Sequence, residues 1–183
     1  EAGYLPAEQA YLDALRKRCD ETGTLLIFDE IQTGFGRTGS LFAFHQYNVV
    51  PDMVLLAKGM AGGMPMGALV APHHMMQAFS FNPILGHITT FGGHPVSCAA
   101  ALATLKILQS SNLIPQVEAK EALFRKHLHH PAIQSISGKG LMLALDLGSF
   151  EQNKKIIDRC IADGLITDWF LFANNCMRIA PPL

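Results

Sequence analysis

Leu26-Ile27-Phe28-Asp29-Glu30-Ile31-Gln32-Thr33-Gly34-Phe35-Gly36-Arg37-Thr38-Gly39 passes from apolar residues to adjacent carboxylates and then to a glycine-rich stretch. The continuous apolar run from Leu25 to Phe28 has the texture of a buried parallel strand, which is apolar throughout rather than alternating. Upstream, Pro6, then apolar Ala10, Leu12, Leu15 and Cys19, then Gly23 describe an amphipathic helix with proline in its first turn and glycine past its end. Downstream, Met53 to Ala57 and Ala68 to Ala71 read as two further buried parallel strands. The first half is therefore expected to be α/β.

Beyond these strands, Pro95 to Leu108 predicts a long alanine-rich helix and Gln116 to His130 a second helix with a charged face. After Pro131 the expected elements are strands at Ile133 to Ser137 and Leu141 to Leu147, a helix from about Phe150 to Ala162, and a strand at Met177 to Ala180. The division expected is residues 1–110, the larger domain with the long linking helix, and 111–183, part of a smaller α+β domain.

Apolar residues form 49% of the 183 and charged residues 16%, against a usual charged share of about 25%. A core is assured, and the shortage of charge points to surface buried against more chain or another subunit. With a net charge of -1 and no basic run beyond Arg16, Lys17 and Arg18, nucleic acid is not an expected partner. The charge-free stretch Gly59 to Pro72 carries four glycines and two prolines and falls short of the roughly 18 residues a membrane span needs. The chain opens at Glu1 without methionine and closes after Pro181 and Pro182, so a piece of a longer protein is expected, with any targeting segment outside it. The four cysteines are scattered, with no CxxC pair, so a reducing, cytoplasmic setting is expected. The group His127, His129 and His130 has no cysteine or carboxylate at ligand spacing, so no metal site is expected.

Glycine and proline concentrate in three loops, Gly34 to Gly39, Gly59 to Gly67 and Gly86 to Pro95. Loops after the carboxyl ends of parallel strands are where such sheets place ligands. Asp29 ends an apolar strand, where a cationic or protonated partner is expected opposite it. Asp29 and Glu30 should face opposite ways, which argues against a carboxylate dyad, whereas Asp29 and Ile31 share a face. That pair suits a flat heteroaromatic ring, the carboxylate on an edge nitrogen and the aliphatic side chain on a face. Lys58 closes the next apolar strand. Among apolar neighbours its amine would be driven toward the neutral form that attacks carbonyls, and the plainer reading is a strand-end lysine reaching into water. Thr89, Thr90, Phe91, Gly92, Gly93, His94 and Pro95 lead into a helix N-terminus and suit either an anion site or an ordinary turn. Arg178, within an apolar strand, needs a carboxylate from substrate or protein. The literal G-x-G-x-x-G of Gly34, Gly36 and Gly39 lacks the strand-to-helix context of a dinucleotide site, because Asp29 to Thr33 separate it from the strand and the next strand ends in Lys58 instead of an acid.

Taken together, Leu26 to Gly39, Asp52 to Gly59 and Thr89-Thr-Phe-Gly-Gly-His-Pro95 resemble the class III aminotransferases, pyridoxal phosphate enzymes of fold type I. The resemblance covers almost the whole chain. It implies a partial large domain with a mainly parallel sheet, plus part of the small C-terminal domain. It also implies that Asp29 pairs with the pyridinium nitrogen, Lys58 carries the cofactor as a Schiff base, Gln32 touches the phenolic oxygen and Ile31 packs on a ring face. Thr90 matches the threonine that reaches the phosphate of the neighbouring subunit's cofactor, and Arg178 the arginine often used for the α-carboxylate. The activity implied is amino transfer from an amino acid or ornithine-like ω-amino donor to a 2-oxo acid, in a homodimer with a shared active site. The alternatives are a non-catalytic assembly or regulatory relative, and a mutase or decarboxylase of the same family. The family is more than twice this length, so this chain alone is expected to bind cofactor weakly and to be inactive.

Overall fold

A computed structural model describes residues 1–183 as two compact units. One comprises Glu8–Phe35 and Ser40–Asn112; the other comprises Glu1–Ala7, Gly36–Gly39 and Leu113–Leu183. No helix is long and apolar enough to cross a membrane.

In the first unit, helix α1 (Gln9–Thr22) precedes a three-stranded sheet of β1 (Ile27–Asp29), β2 (Met53–Leu56) and β3 (Ala68–Val70), in that order. Gly23 closes α1 in the left-handed conformation, its N–H donating to the Cys19 carbonyl. The helix begins later than the proline predicts, because residues through Ala7 belong to the other unit, where the Gly3 carbonyl accepts from the Ser137 hydroxyl at 2.6 Å. β1 and β2 are parallel, with Asp29 level with Leu55. β3 runs antiparallel to β2, contrary to the parallel strand expected. The connection from Ala57 to Gly67 is too short for a helical crossover, which takes a dozen or more residues. The strands are also less buried than their apolar runs imply. Leu12, Cys19, Leu26 and Val49 form a core on one side, while Ile27 is 48% exposed.

Asp52 fastens this layer. Its Oδ2 accepts from the Leu26 N–H at 2.7 Å and from Arg16 Nη1 at 2.8 Å, tying α1 to the start of β2. The Leu26 N–H, and then the Arg16 guanidinium, hold the Asp52 carboxyl below its ordinary range. A carboxyl depressed on folding stabilises the protein above its unfolded value of about 3.9 and loses that contribution as pH falls through the folded value. The expected result is an unfolding midpoint that drops as pH falls below about 4, with a flatter profile in Asp52→Asn, as measured by denaturant titrations across that range.

Helix α2 (His73–Met76) and the long α3 (Pro95–Ser110) complete the unit. Between them, Phe81, Ile84 and Phe91 are each more than 70% exposed, in keeping with the low charge content. At Gly62, a Cβ would meet the Thr104 hydroxyl of α3 at 2.7 Å, which glycine avoids where the turn after β2 crosses the helix.

The second unit holds α4 (Val117–His127), the hairpin β4 (Ser135–Lys139) and β5 (Met142–Asp146), α5 (Phe150–Ala162), β6 (Trp169–Phe170) and β7 (Ala173–Ile179). Its antiparallel sheet runs β4-β5-β7-β6. Leu145, Leu147, Ile157 and Met177 form the core between sheet and α5. α4 stops three residues short of the expected His130, because Leu128 already leaves helical geometry at ψ 65°. β7 begins earlier than the expected Met177 and pairs with the two-residue β6, an element too short to leave a sequence signal.

Candidate functional site

The C-terminal ends of β1 and β2 place a carboxylate and an amine on neighbouring parallel strands. Asp29 is the last residue of β1, and Lys58 lies three residues beyond Leu55, its strand partner. Three residues of chain span at most about 10 Å, so Asp29 and Lys58 belong to the same end of the sheet. Asp29 Oδ1 accepts from the Ile31 N–H at 2.9 Å, and no cation pairs with it, unlike the partner its strand-end position predicts. Lys58 is exposed, so the apolar enclosure expected around its amine is not supplied by this chain's residues. Its backbone is unusual. At φ 46°, Lys58 occupies the left-handed region that side-chain-bearing residues rarely adopt, where β2 passes into the 3-10 turn Lys58–Ala61. Such conformations persist where surrounding structure over-determines them, and they cluster at ligand sites.

Ile31 and Gln32 follow on the turn after β1 and are half-buried. Phe35, also at positive φ, is buried within 4 Å of the Cβ position of Gly59, so the turn after β1 packs on the turn after β2. Thr90 is exposed in the loop before α3. Next to it, a cleft of about 250 Å³ opens at the α3 N-terminus, lined by Thr89, the His94 cap and Ser97 on one side and by Pro65, Met66 and Gly67 on the other. Pro95 occupies the first turn of α3 as expected. Ser97 is buried at 5% exposure, and so is Glu30, at 2%, which the sequence places only on the face opposite Asp29.

Arg178 belongs to the second unit, on β7. Its Nη2 lies 2.9 Å from a carboxylate oxygen of Glu1, and its Nε lies 3.1 Å from Asp168 without aligning a hydrogen bond. The guanidinium carbon stacks 4.7 Å from the Phe170 ring centroid and 5.8 Å from that of Tyr4. Of the two partners its strand position allows, protein carboxylates are the ones present. Burial pushes the Tyr4 phenol above its ordinary range, with the Arg178 charge opposing. The segment Gly36–Gly39 also lies in this unit, where the Arg37 carbonyl accepts from the Leu141 N–H at 2.9 Å. The second and third glycines of the G-x-G-x-x-G pattern thus serve a backbone junction.

The family model described as aminotransferase class-III matches residues 1–183, the whole chain. The chain belongs to the class III aminotransferases. An acetylornithine aminotransferase from Caldanaerobacter subterraneus subsp. tengcongensis is 39% identical over 188 residues, which cover 100% of this chain and 46% of that protein. A crystal structure of a Bacillus anthracis aminotransferase superposes with a TM-score of 0.86 at 35% identity, over 98% of this chain and 45% of that one. An ornithine aminotransferase from Toxoplasma gondii, whose structure reveals partial occupancy of PLP at its active site, superposes with a TM-score of 0.85 at 31% identity, over 96% of this chain and 42% of that one. The chain thus spans less than half the length of these class III relatives, and its mixed α/β units are part of the fold type I architecture.

Proposed function

We propose that this chain is the portion of a class III aminotransferase that carries the amine and the carboxylate for pyridoxal phosphate, and that the full-length protein moves an amino group from an amino acid or ornithine-like ω-amino donor to a 2-oxo acid. The observation that supports this reading is that Asp29 ends β1 and Lys58 follows the end of β2, its parallel neighbour, in a chain matched end to end by the class III family model.

The residues fit the cofactor by their chemistry. A primary amine is the group that binds an aldehyde covalently, a carboxylate is the group that retains a proton on a ring nitrogen, and Ile31 offers an aliphatic surface for a ring face. Pyridoxal phosphate, when bound, supplies an electron sink for charge developing at the Cα of the amino acid. Asp29 holds the proton at the ring nitrogen. Lys58 anchors the cofactor through Nζ and, when that amine is free, carries a proton to and from the reacting carbon. Gln32 reaches the phenolic oxygen, and Thr90 the phosphate of a neighbouring subunit's cofactor in a homodimer. The exposed apolar side chains between α2 and α3 support such an assembly. Arg178 receives the substrate α-carboxylate by exchanging it for Glu1 or Asp168, both of which are partly solvated. The four free thiols suit a reducing, cytoplasmic setting.

The test is borohydride reduction of the full-length protein and of residues 1–183 alone, each with added pyridoxal phosphate, followed by peptide mapping. The expected result is a pyridoxyl adduct on Lys58 in the full-length protein and little or none in the shorter chain. Full-length protein without an adduct at Lys58 refutes the reading.

A further inference from the structure

The direction of the Asp29 carboxylate is set by one contact, the 2.9 Å hydrogen bond it accepts from the Ile31 N–H. That N–H belongs to the same planar peptide unit as the Glu30 carbonyl, so whatever fixes the Glu30 carbonyl also fixes the donor that aims Asp29. Glu30 is held at four atoms. Its N–H donates to the Leu55 carbonyl at 2.9 Å, and its carbonyl accepts from the Gly34 N–H at 3.0 Å. Its Oε1 accepts from the Phe44 N–H at 2.8 Å, and its Oε2 accepts from the Thr33 hydroxyl. The turn closes so tightly that a Cβ on Gly34 would stand 2.8 Å from the Glu30 carbonyl oxygen.

Glu30 is only 2% exposed, and no cation pairs with it. Burying a carboxylate against two neutral donors is an expensive way to stabilise a turn, and an apolar side chain would serve the core better. Two acceptor oxygens, however, can reach two donors on different segments and lock both. We propose that Glu30 is a positioning residue for amino transfer, aiming the Asp29 carboxylate at the ring nitrogen. This rests on the reading of Asp29 given above.

The experiment is a double-mutant cycle in the full-length holoenzyme. Glu30→Ala is expected to lower kcat about 10²-fold, the scale of a misplaced reacting group, with little change in KM and with the Lys58 adduct still formed. Combined with Asp29→Asn, the same substitution is expected to add no further loss, because the carboxylate it aims is gone. Glu30→Gln is expected to recover most of kcat, since its carbonyl can accept from Phe44 and its amide can donate to the Thr33 hydroxyl. Thr33→Val, which removes one bolt without opening a large cavity, is expected to show a smaller loss that also vanishes in the Asp29→Asn background. It carries the test if Glu30→Ala does not fold. Equal losses with and without Asp29 would mark Glu30 as merely structural and overturn the proposal, as would a native kcat in Glu30→Ala. A parent enzyme lacking the Lys58 adduct overturns the reading of the site itself and this inference with it, a result distinguishable from additivity.

Discussion

Lys58→Ala in the full-length protein is expected to lower the rate of amino transfer by about 10²–10⁴-fold, the usual contribution of a positioned proton-transfer group, and to abolish the borohydride-trapped adduct at this position. Alanine removes both functions proposed for the residue, the covalent anchor and the mobile proton. Lys58→Arg is expected to be as inactive, because a guanidinium keeps its proton and cannot serve as a nucleophile at neutral pH. The two substitutions together separate charge from chemistry: an enzyme that needs only a cation here would tolerate arginine. Retention of activity within tenfold of the parent in either variant would remove Lys58 from the reaction.

The second large effect is expected at Asp29. Asp29→Asn keeps the size of the side chain and an oxygen able to accept from the Ile31 N–H, so the turn of 29–34 should survive. What it removes is the negative charge that keeps a proton on the ring nitrogen. Loss of one preorganised electrostatic partner lowers kcat by about 10²–10³, and that fall is expected here while the Lys58 adduct still forms. The measurement is kcat and KM for the amino donor beside peptide mapping of the reduced protein. A variant that loses the adduct but regains the parent kcat when pyridoxal phosphate is added in excess would assign Asp29 to cofactor retention instead.

The elements most legible in the sequence were those whose local signals agree with their tertiary setting. α5 spans Phe150 to Ala162 as expected because its apolar face follows the helical period and Ser149 caps it, accepting from the Gln152 N–H at 3.2 Å. The direction of β3 is not legible in the strand itself, since an apolar run of three or four residues has no polarity; it lies instead in the length of the Ala57 to Gly67 connection. α1 starts later than Pro6 indicates because proline is a local signal, whereas Glu1–Ala7 is held by the second unit. Among site residues, Asp29 and Lys58 stood out because a charge at the end of an apolar strand is conspicuous. Glu30 did not, because alternation along a strand indicates only that it faces away from Asp29, not that its carboxylate is buried against the Phe44 N–H.

The junction at Arg37 has a consequence for synthesis. Its carbonyl waits for the Leu141 N–H, and Gly36–Gly39 can join their unit only after Leu113–Leu183 have emerged. At about 5–20 residues per second, roughly 5 to 20 s separate translation of the two partners. Through that interval, the glycine loop beside the nascent Asp29 strand is without its backbone partner. A ribosome stalled before residue 141 should therefore display this loop to proteases, and one stalled after the C-terminal sheet is complete should not.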